Sequence, residues 1–320
     1  MCTVRQLVAQ YVDENNDSSP WMTGRPHALK AVRRALGPSD YKAREGVNSG
    51  GANAVYWLEI VATRPDGCIV VANITEGAKR EVESIQATIE PDLVYPLLRG
   101  RDVGRWNATP QASILITHRP GMGLKAIPES EMAVKLPKTY SYLRRFEHAL
   151  RVRSAFRRYF RENDPFYSMF NVGDYTLAPH KVVWREQASL LTAAVVSGEP
   201  HAIAPDHKLM MVAFDAEFPA HYLCAVLNSS PAQFVVLSYA VNIQMGPHIL
   251  ENVRVPRFEP DNPVHQRLAQ LSRAAHQEVL ADNAGRVREI ELEISELSGR
   301  LWGLTAEELK EIQRSLEELA

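Results

Sequence analysis

The sequence contains few cysteines and no long apolar run, and each absence excludes a class of protein. Its three cysteines, Cys2, Cys68 and Cys224, form no Cys-x-x-Cys pair, so neither a disulfide framework nor a zinc site is indicated. The longest apolar run, residues 234–241, is far shorter than the ~20 residues that cross a bilayer. No apolar signal-peptide region follows Met1. We therefore expect a soluble, cytoplasmic protein with no membrane partner.

The signatures of common enzymes are also missing. There is no Gly-x-Ser-x-Gly elbow, no P-loop and no metal-ligand spacing among the ten histidines. Residues 163–167, Asn-Asp-Pro-Phe-Tyr, are similar to the Asn/Asp-Pro-Pro-Phe/Tyr loop of adenine N-6 methyltransferases. However, Asp164 replaces the first of the two prolines, and no glycine-rich cofactor turn precedes the segment. We interpret it as a polar turn and predict a chain that is non-catalytic by itself, with no cofactor and no metal.

One alternative keeps a catalytic role for the chain. Asp206 and Lys208 have the spacing of the Asp-x-Lys half of a metal-dependent nuclease. Such a site needs a separate upstream acid, because hard divalent cations bind several oxygen ligands. Only the distant Asp92 offers itself for that role. We favour a loop at a strand edge that touches DNA through His207 and Lys208, and keep the nuclease as the alternative.

Charge is distributed unevenly along the chain, although the net charge is only −2. Residues 257–320 contain 8 Lys and Arg against 13 Asp and Glu, whereas residues 135–161 contain nine basic residues against Glu147 alone. Such a concentration of positive charge indicates a polyanion or an acidic partner protein, so a protein-binding adaptor is a further alternative. The predicted phosphate contacts are Arg144, Arg145, Arg151, Arg157, Arg158, Lys181, His207 and Lys208.

The hydrophobic pattern predicts an α+β fold. The expected strands are residues 55–61, 68–72, 113–117 and 208–214, of which the first two form a hairpin around Arg-Pro-Asp-Gly. Apolar residues that recur at steps of three and four predict one helix over residues 139–160 and another over residues 220–227. The polar, proline-containing composition of residues 1–25 is typical of a linker.

The last part of the chain, residues 257–320, is predicted as an antiparallel helical tail. Asn262 and Pro263 have the pattern of an N-cap followed by proline at the first helical position. Thr305 and Glu308 form the pattern of a capping box at the last helix. The middle helix has heptad-like spacing at Val287, Ile290, Ile294, Leu297 and Leu301. We expect this tail to act as a spacer or to dock a partner.

Three segments resemble a known family. Residues 41–53 are similar to an "Arg-x-Gly-Ile-x-Thr-Gly" loop, with Ser49 in the place of the threonine. Residues 95–106 resemble the signature "Leu-x-Gly-x-Asp-Ile-x-x-Trp/Tyr", and residues 222–229 resemble a helix that ends in Leu-Asn-Ser. In this order the motifs are those of target-recognition domains in restriction–modification systems. They occur in the C-terminal specificity domains of Taq-type adenine N-6 methyltransferases and their type IIG relatives.

The resemblance implies a specificity subunit that recognises double-stranded DNA for a restriction–modification or phage-defence system. Residues 26–256 would form the recognition domain. A partner chain would carry the methyltransferase with its S-adenosylmethionine, together with nuclease or helicase activity in some systems. Asn pairs with adenine and Arg with guanine in the major groove. The predicted base contacts are Arg44, Asn48, Ser49, Asn53, Arg99 and Arg101. For Arg99 and Arg101, an ion pair with Asp102 that orders the loop is the equal alternative.

Overall fold

A computed structural model describes residues 7–121, 125–198, 201–239 and 244–319, and Cys2 lies outside them. Within these residues the chain forms strands and helices around two main hydrophobic cores, and the predicted α+β class is confirmed. None of the described helices is long and apolar enough to cross a membrane.

The strands are β1 (Val8–Tyr11), β2 (Trp21–Gly24), β3 (Arg44–Glu45), β4 (Trp57–Thr63), β5 (Ile69–Asn73), β6 (Gln86–Ile89), β7 (Val94–Leu98), β8 (Val103–Gly104), β9 (Asn107–Ala108), β10 (Ala112–Leu115), β11 (His180–Arg185), β12 (Ala193–Ser197), β13 (Ala204–Pro205) and β14 (Leu209–Phe214). The helices are α1 (Pro26–Val32), α2 (Asn53–Tyr56), α3 (Glu129–Lys135), α4 (Pro137–Arg144), α5 (Glu147–Arg151), α6 (Ser154–Tyr159), α7 (Glu217–Asn228), α8 (Ser230–Tyr239), α9 (Ile249–Asn252), α10 (Pro263–Leu280), α11 (Ala284–Leu301) and α12 (Ala306–Leu319).

A six-stranded sheet of order β13-β7-β10-β4-β5-β6 organises the first core, which we call the sheet core. Its pairs are antiparallel except for β13 with β7. The predicted hairpin is confirmed as β4 and β5, joined by a turn in which Gly67 adopts a left-handed φ of 79°. Tyr142 and Leu143 of α4 are buried in this core.

A four-stranded sheet of order β12-β11-β14-β3 packs against α7 and contributes to a second core, which we call the helical core. Strands β11 and β14 are buried along most of their length, and β14 has the continuous apolar sequence that such burial requires. The predicted strand at residues 208–214 and the predicted helix at residues 220–227 are confirmed as β14 and α7.

The three tail helices belong to the helical core. The Oδ1 atom of Asn262 accepts hydrogen bonds from the amides of Val264 and His265, and Thr305 and Glu308 cap each other's amides, so both predicted caps are confirmed. Ile290 and Ile294 are buried in the same core as α7 and α8. The apolar seam of α11 is therefore covered by the chain's own helices.

Residues 8–24, which lie in the segment expected to be a linker, contain the antiparallel pair of β1 and β2. Met22 is buried in the helical core, and a Cβ atom on Gly24 would lie 2.8 Å from the ring of Phe234. The domain boundaries after residues 25 and 256 stay predictions.

The prediction of one helix over residues 139–160 was wrong. The segment forms three short helices, α4, α5 and α6, with breaks at residues 145–146 and 152–153. The second break lets Arg153 turn inward, where its side chain is completely buried among backbone carbonyl groups. Hydrophobic spacing alone favours a continuous helix, because it cannot show that a cation belongs to the interior.

Candidate nucleic-acid interface

The glycine loop, residues 46–51, is held on both sides by backbone hydrogen bonds. The amides of Gly46 and Val47 donate to the carbonyls of Leu209 and Pro205 at 2.9 and 2.8 Å. Asn48 and Phe170 exchange two backbone hydrogen bonds of 3.0 and 2.8 Å. A Cβ atom on Gly46 would lie 2.2 Å from a carbonyl oxygen of the neighbouring segment, so this position requires glycine.

The far end of the loop passes close to α6. Gly50 and Gly51 have φ angles of 66° and 85°, the left-handed region that favours glycine. A Cβ atom on Gly50 would lie 3.2 Å from the Cβ of Ala155, and one on Gly51 would lie 3.8 Å from the side chain of Lys79. The structure thus brings the glycine motif next to the basic segment, about 100 residues away in sequence.

Arg153 joins these two parts. Its guanidinium donates to the carbonyls of Ser49 at 2.7 Å and of Leu150, Phe166 and Ser168 at 2.7, 2.8 and 3.0 Å. The side chain is fully buried, so this cation positions the glycine loop and does not face solvent. It counts toward the positive charge of residues 135–161 but not toward the charge of the surface.

The five arginines among the predicted phosphate contacts fall into two groups. Arg144, Arg145 and Arg151 lie within 3.4 Å of Glu147, Glu83 and Glu147, respectively. Arg157 and Arg158 are exposed and form no ion pair with any residue that the structure describes. Each arginine of the first group faces a carboxylate, whereas Arg157 and Arg158 have none among the described residues and carry the uncompensated positive charge of α6.

Two basic residues that the sequence analysis missed lie next to Gly51 of the glycine loop. Lys79 and Arg80 approach Gly51, and within the described ranges neither forms an ion pair. They follow Gly77 in the connection between β5 and β6. The sequence feature that could have identified them is a Lys-Arg pair that follows Gly77. Only the fold brings this pair near the glycine loop. We call Lys79, Arg80, Arg157 and Arg158 the unpaired basic group.

The base-contact candidates of the glycine loop differ in exposure. The Oδ1 atom of Asn48 accepts from the amide of Gly50 at 2.9 Å, and the side chain stays half-buried. Ser49 is buried, and its hydroxyl donates to Oδ1 of Asn53, so it supports the loop from inside. Arg44 is exposed and its guanidinium lies 5.3 Å from the centre of the Tyr175 ring.

Arg99 and Arg101 have different surroundings. Arg99 is only 7% exposed, and its Nε donates to Asp102 at 3.1 Å, which is the ion pair expected as the alternative. The same carboxylate accepts from the Arg99 amide at 2.9 Å and so orders the turn. Arg101 is exposed and forms no ion pair with a described residue.

The second and third motif segments, residues 95–106 and 222–229, meet each other inside the protein. Asn228 accepts from the amide of Ala193 at 3.0 Å and donates to its carbonyl at 2.8 Å, while Trp106 donates its backbone amide to that same carbonyl. The indole of Trp106 is buried and donates to Glu291 of α11 at 2.8 Å. These residues connect the 99–108 loop with β12, α7 and the tail helix α11.

The segment of the nuclease alternative forms a turn. Asp206 is buried, and its Oδ1 accepts from the backbone amide of Lys208 at 2.8 Å. Burial, with a smaller contribution from Asp102, raises the pKa of Asp206 to about 6. The Nζ of Lys208 lies 3.3 Å from Glu186. In the part of the chain that the structure describes, no three His, Cys, Asp or Glu side chains are grouped to hold a metal. Asp206 and Lys208 therefore belong to one hydrogen-bonded turn.

The remaining predicted sites, which are partly or completely buried, are Lys181, His207 and residues 163–167. Lys181 is buried, its Nζ donates to the carbonyl of Ala178, and burial lowers its pKa to about 7, so the prediction of a surface phosphate contact was wrong for this residue. His207 is half-buried, and burial lowers its pKa. In the 163–167 segment, Tyr167 is completely buried and its hydroxyl donates to Ile127 at 2.8 Å.

No protein-family model and no curated protein matches the chain. One solved structure that aligns with it is the Type IIL restriction-modification enzyme MmeI in complex with DNA. The TM-score is 0.49 and the identity 8%, over 88% of this chain and 35% of that one. The chain therefore spans about a third of that enzyme's length. The DNA in that structure is bound by that enzyme.

Proposed function

We propose that this chain recognises double-stranded DNA as the specificity part of a restriction–modification or related phage-defence methyltransferase. In this proposal it is non-catalytic, and a partner chain supplies the methyltransferase and its S-adenosylmethionine. The order of the three motifs supports the family. One observation carries DNA binding: Lys79 and Arg80 approach Gly51 of the glycine loop, and Arg157 and Arg158 lie on α6, the helix that packs against Gly50.

The electrostatics support a polyanionic ligand at this surface. Arginine and lysine side chains without nearby carboxylates release condensed counterions when they contact phosphates. Arg157 and Arg158 stand on a helix that the buried Arg153 anchors against the glycine loop. Phosphate contacts would fix the orientation of the duplex, and Asn48 and Arg44 would then lie beside the bases that they read.

The test is the salt dependence of duplex binding, measured by fluorescence anisotropy. If the four members of the unpaired basic group neutralise four phosphates, log K falls with log salt at a slope of about −3.6. Arg157→Ala with Arg158→Ala should flatten the slope by roughly 2 and weaken all sequences alike.

A matched control is available on the neighbouring helix. Arg144→Ala with Arg145→Ala removes the same formal charge, but both residues already face carboxylates. This pair should change the slope by less than about 1. Equal effects of the two double variants would contradict the assignment of the surface. Salt-independent binding, or equally strong binding of polyglutamate, would contradict nucleic-acid recognition and favour an adaptor for acidic proteins.

A further inference from the structure

A cleft of about 590 Å³ opens beside the glycine loop, between α6 and residues 169–171. Its volume lies within the ~300–1,000 Å³ that is usual for small-ligand sites. Its lining includes the rings of Tyr159, Phe160 and Phe170 and the polar side chains of Glu45, Asn48 and Asn171. Aromatic rings therefore form its walls, while amide and carboxylate groups form a polar floor.

The walls contain an aromatic cluster that is only partly covered. Tyr159 and Phe160 contact the ring of Phe170 with centroid distances of 5.3 and 4.9 Å. Tyr159 is 63% exposed, and the guanidinium of Arg158 lies 5.2 Å from its ring centre. Exposed aromatic faces flanked by arginine are the usual surface on which proteins stack unpaired bases.

The floor is organised around one carboxylate. Asn171 donates to one oxygen of Glu45 at 2.7 Å, and Asn48 donates to the other at 3.3 Å. Asn171 has a left-handed φ of 49°, a conformation that asparagine tolerates better than most residues. Burial raises the pKa of Glu45, and the two amides oppose that rise. Among the described residues, no further hydrogen bond uses the second lone pair of either carboxylate oxygen or the second N–H of either amide.

We propose that this cleft receives one unstacked nucleobase that carries an exocyclic amino group. The aromatic walls would stack on the base, the Glu45 carboxylate would accept from the amino group, and the amides would donate to acceptors on the base edge. Carboxylates accept in this way from cytosine N4. Thymine has no exocyclic amino group and is disfavoured.

The base must leave its stack to reach this floor, because the cleft is recessed beside the loop that would contact the duplex. The unpaired Arg158 at the rim would hold the backbone next to the extruded nucleotide. The inference rests on the proposed function, since it names a further ligand of the same surface. The glycine loop would then have two roles. It would contact the DNA backbone, and its Asn48 side chain would form part of the base pocket.

The test compares labelled duplexes that differ at one position: fully paired, or with an unpaired cytosine, an unpaired thymine or an abasic site. The unpaired cytosine should bind roughly tenfold more tightly than the other three, since base–aromatic stacking and the amino contact are both available to it. Tyr159→Ala should abolish this gain. Glu45→Gln should narrow the difference in affinity between the duplexes with unpaired cytosine and unpaired thymine.

The control is Trp21→Ala, which removes another exposed aromatic ring, on β2 and outside the cleft. It should leave the cytosine gain intact. Equal binding of all four duplexes, or a gain that survives Tyr159→Ala, overturns the base pocket. If salt-dependent duplex binding persists in that case, the proposed function stands without the pocket. If no duplex binds, both fall. If free deoxycytidine monophosphate binds as tightly as the duplex with the unpaired cytosine, the ligand is a free nucleotide and the strand-borne base is overturned.

Discussion

Arg153→Met is predicted to destabilise the protein strongly, although the residue belongs to the most basic stretch of the sequence. Its side chain is fully buried and donates four hydrogen bonds to backbone carbonyls. Methionine is unbranched and fills much of the same space but donates nothing. The substitution therefore leaves four acceptors to find new partners, among them the carbonyl of Ser49 in the glycine loop.

The magnitude follows from two opposing contributions. Hydrogen bonds from a charged donor contribute about 1.5–3 kcal/mol each, so four of them represent roughly 6–12 kcal/mol. Burying the guanidinium costs several kcal/mol, which the methionine variant recovers. The expected net loss is about 3–5 kcal/mol in the free energy of unfolding. This is a large part of the ~5–15 kcal/mol that typically stabilises a folded protein.

Urea unfolding followed by circular dichroism measures this loss. The matched control is Arg157→Met, four residues further along the chain, which removes the same charge from an exposed position. The control should change the free energy of unfolding by less than about 0.5 kcal/mol while still weakening DNA binding. A loss below about 1 kcal/mol in Arg153→Met, or equal losses in the two variants, would refute the view that this arginine is a structural anchor.

Two further predictions concern the segment that faces the glycine loop. Gly46→Ala places a Cβ atom 2.2 Å from a backbone oxygen and should lower the free energy of unfolding by about 3 kcal/mol. Gly285→Ala in α11, where no atom lies closer than 4.0 Å, should be neutral or slightly stabilising. Thermal unfolding of both variants checks this, and equal stability of the two variants would contradict it. Because burial raises the pKa of Asp206 to about 6 from an unfolded value near 3.9, the folded state binds the proton more tightly. The stabilisation from the protonated Asp206 carboxyl group is present at low pH. The free energy of unfolding falls by roughly 3 kcal/mol as the pH rises from about 4 to 6. Asp206→Asn keeps the acceptor for Lys208 and should remove this loss, and parallel pH curves of the two proteins would contradict the prediction.

Elements with local causes could be predicted from the sequence. The cap at Asn262, the box at Thr305 and the β4–β5 hairpin each depend on residues within a few positions of one another, and the structure has all three. Arg153 could not be assigned in this way, because its partner Ser49 is 104 residues away. A count of charges also treats a buried cation, a paired one such as Arg145 and an unpaired one alike. Only the fold separates these three states.

The central claim is that duplex DNA binds at the glycine loop and the unpaired basic group. Hydrogen–deuterium exchange of the full chain, with and without duplex DNA at low salt, tests it most directly. DNA binding should slow exchange at residues 46–53, 77–81 and 154–161 and leave exchange in the acidic tail helices unchanged. Protection confined to α10–α12, or no protection at the glycine loop when DNA is bound, would contradict it.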